Sequence, residues 1–412
     1  MKKVLLTAIG SHDPYSSDGS DGAMIHIVKN CKPKSIYLYF ATSMKEKKEE
    51  VLKAIKDYLP SIKIKVIDSA IENPADFDDF YRDFAEIITN IREENEDADI
   101  LLNVTSGSPQ MIAALCLEVL AHKEELTPIQ VLNPHFTKKD NRCVKPSLMG
   151  IRKQVLRRQI KDMLEKWDYV GAYSLLENSK LKFSLRLENL VKHAYKRSIE
   201  DKEAKDIASE HLEDIYNELY PYKGNDTTQD KLDFLNILSL KKERDEITDF
   251  VFRAYALAEN LVVEDIGKSL KGGLNSVFNK GFEKTWNFEK AEKNYPSLLQ
   301  YLREKNVNLD IKLNSYIYEE IVAGYFKIDD YTKLFSTRDA RNNIAHRAKP
   351  ITVEILDKSY KTSPEELLDI LRKRFNHIFK KSKQENIFEL FSFLNEQIIK
   401  ELDKEEKLEK GE

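Results

Sequence analysis

The pattern of apolar runs changes character once along this chain, near residue 150, and that change limits the folds open to it more than any single motif. Before it, the short β-rich runs VLLTAIG, SIYLYFA, IKIKVID, DILLNVT and PIQVLN alternate with helical stretches over Ala23–Lys29, Glu46–Tyr58, Asp76–Glu94 and Pro109–His122. Continuous apolar strands separated by helices predict a parallel sheet covered on both faces, an α/β Rossmann-like fold with right-handed crossovers. After Ile151 the β-rich runs stop and helix follows helix, beginning with RKQVLRRQIKDMLEKWDYVGAYSLL. Thr248–Ile266 is apolar almost all round and predicts the central buried helix of an all-α domain. Leu313–Tyr325 reads as a further amphipathic helix, Lys271–Gly281 as a loop rich in Gly, Asn and Lys, and the charged tail from Lys400 as a fraying end. The expected organisation is a Rossmann-like domain over 1–150, a connecting helix over 151–175 and a helical domain over 176–412.

Composition removes several classes of function. With 66 Lys and Arg against 70 Asp and Glu, a net charge of -4 leaves room for a local nucleic-acid patch but not for a generally basic coat. There is no apolar run of 18 residues and the start MKKVLLTAIGSHDP turns charged too soon for a secretory signal, so the expectation is a cytoplasmic protein without membrane contact. Cys31, Cys116 and Cys143 are far apart in sequence and form no CxxC pair, which reads as buried or inert thiols. The eight histidines form no HExxH or other close ligand pair, so no metal site and no bound cofactor is expected. His193, His211 and His377 read as solvated on charged helical faces, while His12 and His135 lie at strand-end loops. Arg152, Lys153, Arg157, Arg158 and Lys161 read as one solvated basic face with helical pairs such as Lys161 to Glu165, and the acids between Glu72 and Asp83 as a solvated helix face.

Two strand-end loops stand out. Gly10, Ser11, His12 and Asp13 follow the first strand, and Thr105, Ser106, Gly107, Ser108, Pro109 and Gln110 follow the fourth and run into a helix with Pro at its start. Neither GxGxxG nor GxxxxGK[ST] is present, which disfavours the usual dinucleotide and triphosphate ligands. Small residues, hydroxyls and backbone N–H groups at a helix N-terminus suit an anionic or nucleotide ligand.

A second constellation lies at Ser336–Pro350, STRDARNNIAHRAKP. Ser336 with Asp339 reads as a capping box and Pro350 as a stop, predicting a helix of about three turns anchored by Ile344 and Ala345. At roughly 100° per residue Asn342 and His346 share a face and Arg341 lies about 140° from His346. A site using both is most easily built where this ridge meets the same helix of a second copy. Arg338, Arg347 and Lys349 add the positive charge that a phosphodiester requires.

With GSHDP, the DGAMIHIV helix start and NVTSGSPQM, the first 150 residues resemble the CARF domain (CRISPR-associated Rossmann fold). Arg341 and His346, with four residues between them and Asn342 directly after the Arg, resemble the RNxxxxH-type signature of HEPN ribonucleases. A CARF-like sensor followed by a HEPN-like domain resembles the ribonucleases that accompany type III-A CRISPR systems. The resemblance implies a homodimeric, metal-independent endoribonuclease acting in antiviral defence. It would cleave single-stranded RNA to 2′,3′-cyclic phosphate and 5′-hydroxyl ends, with Arg341, Asn342 and His346 catalytic. It further implies an activator, cyclic oligoadenylate, at the two strand-end loops, with cyclic hexa-adenylate favoured over tetra-adenylate and no stable binding to the CRISPR interference complex. The other reading is a nucleotide-sensing CARF regulatory or interaction protein with a catalytically silent helical domain.

Overall fold

The structure is a computed structural model that describes residues 2–410 apart from 74, 123–125, 138, 147, 180, 223, 280–284, 311 and 380–385. Lys280 and Gly281 of the Gly-rich loop and the last two residues of the tail therefore lie outside the described residues. The chain forms two compact units, Met1–Leu156 and Arg157–Glu412.

In the first unit the elements run β1 (Lys2–Ala8), α1 (Ala23–Cys31), β2 (Ser35–Phe40), α2 (Lys48–Tyr58), β3 (Lys63–Asp68), α3 (Phe77–Glu94), β4 (Ala98–Asn103), α4 (Pro109–Ala121), β5 (Leu126–Val131) and β6 (Cys143–Val144). The sheet order is β3-β2-β1-β4-β5-β6, with β1 to β5 parallel. Successive side chains of a strand point to opposite faces. Val4, Leu6 and Ala8 of β1 accordingly join Phe80, Phe84 and Ile88 of α3 and Leu115 of α4, whereas Leu5 and Ile9 join Ile25 and Val28 of α1 and Val51 and Ile55 of α2. Burying each large aliphatic or aromatic side chain contributes about 1.5–3 kcal/mol, enough to fix which face each helix covers. Two features differ from expectation. The sheet is mixed, because β6 pairs antiparallel with β5, Cys143 opposite Val131; a two-residue strand carries no periodicity. The run IKIKVID is an edge strand with Lys63 and Lys65 exposed, a charge pattern that discourages pairing with another chain.

Helix starts in this unit follow local chemistry: Asp76 accepts from Asp79 N at 3.1 Å to cap α3, and Ser108 accepts from Met111 N at 3.3 Å ahead of Pro109 in α4. Cys31 and Cys143, distant in sequence, pack against the same core face. A hydrogen bond from Cys143 draws the Cys31 thiol pKa down.

The second unit is helical around Ile247–Ser269, whose Phe250, Ala254, Leu257, Leu261 and Ile266 are buried. Asp265 of this helix is fully buried and accepts from Arg374 Nε at 2.9 Å, Arg374 Nη2 at 2.8 Å and the Tyr331 hydroxyl at 2.5 Å. Removing one partner of such a pair strands a buried charge, at a cost of about 3–5 kcal/mol.

Several local expectations are corrected here. The stretch read as one connecting helix is two, Met149–Glu165 and Tyr169–Asn178, broken at Trp167 with φ 58° and restarted by Asp168, which accepts from Gly171 N at 2.8 Å. Arg157 is only 3% exposed and lies 4.0 Å from Glu405, while Lys161 binds Asp403 at 2.6 Å, so part of the basic face is a seam against the C-terminal helix. That helix runs over Leu390–Lys410, so the described tail is helical rather than frayed, with Glu401, Leu402 and Glu405 buried and Leu408 exposed. His193 is fully buried with Nδ1 2.8 Å from Ala204 O, and burial depresses its pKa to about 3. His211 and His377 are exposed. Leu313–Tyr325 shortens to Ser315–Glu319 followed by a π-helical turn over Glu320–Tyr325, in which Phe326 N bonds Ile321 O at 3.0 Å. Among the described residues no helix is long and apolar enough to cross a membrane.

Candidate functional site

The two strand-end loops of the first unit meet because β1 and β4 are neighbours in the sheet. Their backbones approach so closely that a Cβ on Gly10 would sit 3.0 Å from Gly107 N, and Gly107 itself holds φ 104°. A side chain at either position would wedge the loops apart, which explains the glycines. Most of the polar side chains here are spent on holding this contact. Asp13 is 1% exposed and its carboxylate accepts from Gly10 N and Met24 N, both at 3.0 Å, tying the first loop to the start of α1. Burial raises its pKa against the pull of those N–H groups. The Thr105 hydroxyl accepts from Val131 N at 2.8 Å, bracing the second loop on β5. Ser106 is buried and its hydroxyl accepts from Asn103 Nδ2 at 3.0 Å, and the Ser108 hydroxyl caps α4.

What faces outward is different. Ser11 and His12 are exposed, the Ser11 hydroxyl 3.2 Å from His12 Nδ1, and Pro109 and Gln110 lie at the open first turn of α4. No partner for the N–H groups of Ser106 and Gly107 is found among the described residues. His135 is exposed in the short turn Pro134–Phe136 after β5. A residue that sequence reasoning passed over, Lys47, donates from Nζ to Ser11 O at 2.5 Å and Asp13 O at 3.0 Å. It stands just before α2, past the end of β2, and β2 is also a neighbour of β1. The doubly wound strand order was the available signal, since it brings the loop after β2 to the same edge.

In the second unit the motif helix covers Arg338–Arg347. Ser336 does not cap it: that residue ends the preceding helix Asp330–Ser336 and its hydroxyl donates to Lys333 O at 2.7 Å. The N-terminal flank is Thr337, and Ala348 closes the far end in the left-handed region at φ 50°. The anchor is Ala340, fully buried, with Ile344 partly buried four residues on; Ala345 is exposed.

Arg341 lies on a shelf formed by the central helix, its Cζ 5.7 Å from the Tyr255 ring centroid and 6.0 Å from that of Phe252. Cation–π attraction of about 0.5–2 kcal/mol at such a shelf leaves the planar fork of the guanidinium able to meet an anion. Arg341 Nη1 donates to Asn342 Oδ1 at 3.1 Å, so those two are brought together. His346 is exposed and without a hydrogen-bond partner among the described residues. Arg338 is committed elsewhere, to Glu319 Oε2 at 2.7 Å and the Tyr255 hydroxyl at 3.3 Å, whereas Arg347 and Lys349 are exposed. Burial pushes the Glu259 pKa up while Arg341 and Arg338 pull it down. Phe252, Tyr255 and Glu259 recur at helical spacing on one stripe of the central helix, a pattern that a sequence reading absorbs into the core. Among the described residues no group of three His, Cys, Asp or Glu side chains is placed to hold a metal ion.

Three family models match along the chain: the Cas_Csm6 CARF domain over residues 63–148, the Csm6 6H domain over 147–198 and the Cas_Csm6 HEPN domain over 219–399. The CRISPR system endoribonuclease Csm6 of Enterococcus italicus is 25% identical over 392 residues, covering 86% of this chain and 78% of that protein. The protein of the same description from Streptococcus thermophilus is 26% identical over 304 residues, covering 66% and 68%. The solved structure of Enterococcus italicus Csm6 bound to cyclic hexa-2′-fluoro-hexa-dAMP superposes with a TM-score of 0.81 at 23% identity, over 97% of this chain and 100% of that one. An α/β unit with two apposed strand-end loops and a helical unit presenting Arg341, Asn342 and His346 are thus the two halves of one architecture, and the chain belongs to the CRISPR-associated CARF–HEPN ribonucleases.

Proposed function

We propose that this chain is an endoribonuclease that cleaves single-stranded RNA at Arg341, Asn342 and His346 without a metal ion, and that cyclic oligoadenylate bound at the strand-end loops switches it on. The observation that carries the reading is the motif helix, where a guanidinium on an aromatic shelf and an exposed imidazole flank one ridge. Attack of a ribose 2′-hydroxyl on the adjacent phosphorus needs proton transfer and stabilisation of a dianionic phosphorane. An imidazole, which can both take and give a proton, suits the first and a guanidinium fork the second. Asn342, bonded to Arg341, orients it. The products are then a 2′,3′-cyclic phosphate and a 5′-hydroxyl.

Arg341 and His346 lie on different sides of the ridge, so the site is completed by the same helix of a second copy, and the working species is a homodimer. The activator takes the exposed edge of the loops: Ser11, His12, Gln110 and the N–H groups of Ser106 and Gly107, with Gly10, Asp13, Thr105, Ser108 and Pro109 shaping the cradle. Cyclic hexa-adenylate is favoured over tetra-adenylate, the ring size matching the analogue that the Enterococcus italicus protein binds. Such a diffusible activator requires no stable association with the interference complex, and the protein acts in the cytoplasm in antiviral defence.

The test is incubation of the purified protein with labelled single-stranded RNA in EDTA, with and without cyclic hexa-adenylate, followed by end-group analysis. The reading expects activator-dependent cleavage leaving cyclic-phosphate ends. Loss on chelation, restored by Mg²⁺ or Mn²⁺, would place the reaction in another class.

A further inference from the structure

Lys47 carries an inference beyond the loops themselves, and it rests on the reading that this edge of the sheet receives cyclic oligoadenylate. Its ammonium has three donor hydrogens, and Ser11 O and Asp13 O take two of them. Both acceptors are neutral carbonyls. Two other lysines of this unit are neutralised, in contrast: Lys48 binds Asp68 Oδ2 at 2.9 Å and Lys29 binds Asp21 Oδ1 at 2.6 Å. Lys47 meets no carboxylate oxygen within 4.0 Å among the described residues. Asp13, whose carboxyl feels the Lys47 charge, is buried, with its oxygens turned to Gly10 N and Met24 N. The ammonium is therefore a half-buried positive charge fixed at the rim of the cradle, with one donor uncommitted and the N–H groups of Ser106 and Gly107 across the same loop contact.

We propose that Lys47 is a binding residue of the sensor site, in which its third N–H donates to a phosphodiester oxygen of the activator while its other two keep the first loop in place. The arrangement answers a gap in the strand-end loops, which offer hydroxyls and N–H groups but no cation of their own. A lysine pinned by two carbonyls has already lost most of its side-chain freedom, so little ordering cost remains when the phosphate arrives. Because the contact is to phosphate and not to base, it is indifferent to base identity.

The experiment is equilibrium binding of labelled cyclic hexa-adenylate to the full-length protein across a salt series, for wild type, Lys47→Gln, Lys47→Arg and Lys48→Gln, with linear hexa-adenylate as competitor. Lys47→Gln is expected to weaken binding on the order of tenfold and to lower the slope of log affinity against log salt by about one. Lys47→Arg should keep the wild-type slope, and Lys48→Gln should match wild type in both respects. A mere strut for the loop would weaken binding with the salt slope unchanged, and that result would overturn the proposal, as would unchanged affinity in Lys47→Gln. Linear hexa-adenylate competing as well as the ring would show a general phosphate site and overturn its assignment to the cyclic activator. No binding by the wild-type protein would instead refute the sensor reading on which the proposal rests.

Discussion

The strand-end loops and the motif helix solve the presentation of polar groups in opposite ways. In the loops nearly every polar side chain is turned inward: Asp13 onto Gly10 N and Met24 N, Thr105 onto Val131 N, Ser106 onto Asn103, Ser108 onto α4. What remains outside is backbone, Ser11, His12 and Gln110, and the ammonium of Lys47. In the motif helix the backbone is consumed by helical hydrogen bonds and the side chains do the presenting, with Ala340 and Ile344 holding the inner face. A site of the first kind recognises a ligand through a shaped surface and loses affinity by degrees as single contacts are removed. A site of the second kind concentrates its chemistry in two or three groups. Substitutions in the two regions should therefore differ both in size and in the quantity they change.

The largest effect belongs to His346→Ala, expected to lower the activated RNA cleavage rate by about 10²–10⁴-fold, the range for removing a general acid or base. The unfolding transition should barely move, because His346 is exposed and alanine favours the helix. A rate near wild type in single-turnover assays would remove His346 from the chemistry. Next is Arg341→Lys, which keeps the charge and loses the fork. It should cost roughly 10–10³-fold in maximal rate, the scale of losing a stabilising donor, while the half-activating concentration of cyclic hexa-adenylate stays unchanged. A shifted half-activating concentration with an intact maximal rate would reverse the roles assigned to the two regions.

His193 sharpens the contrast from the side of stability. Its folded pKa, depressed to about 3 by burial, lies below the unfolded value near 6.5. Between those limits the unfolded chain binds the proton and the folded one does not. The stability is fully present above about pH 6.5 and falls at up to about 1.4 kcal/mol per pH unit as pH drops toward 3. Urea unfolding of the protein followed by probes in the helical unit should show this slope, and His193→Gln should flatten it; an unaltered slope would mean that His193 is not the group responsible. The smallest effect is expected at Thr105→Val. Losing the acceptor for Val131 N should cost about 1–3 kcal/mol of stability in the first unit and raise the half-activating concentration several-fold, with the maximal rate preserved. A collapse of the maximal rate would show that this strut also shapes the active state.

These two regions also show what a sequence can and cannot disclose. The alternation of strands and helices, the capped start of α3 at Asp76, the Pro start of α4 and the helix over the Arg341 motif all depend on interactions within a few residues, and all are legible. Ser336 misleads because a capping pattern is equally compatible with the end of the previous helix, and the structure resolves the two by breaking at Thr337. His193 and Arg157 misread as solvated because polarity was weighed above position. His193 follows Leu190 by three residues and precedes Ala194, all buried, so the helical face was available as a signal. The pairing of Cys31 with Cys143, the short β6 and the reach of Lys47 to Ser11 and Asp13 depend on strand order, which no local window contains.

If sensing and cleavage reside in separate sites, binding of labelled cyclic hexa-adenylate to His346→Ala separates them in one experiment. This variant should bind the activator with wild-type affinity while RNA added to the same complex stays intact. Loss of activator binding in the variant, or RNA cleavage at the wild-type rate from the bound complex, would contradict that separation.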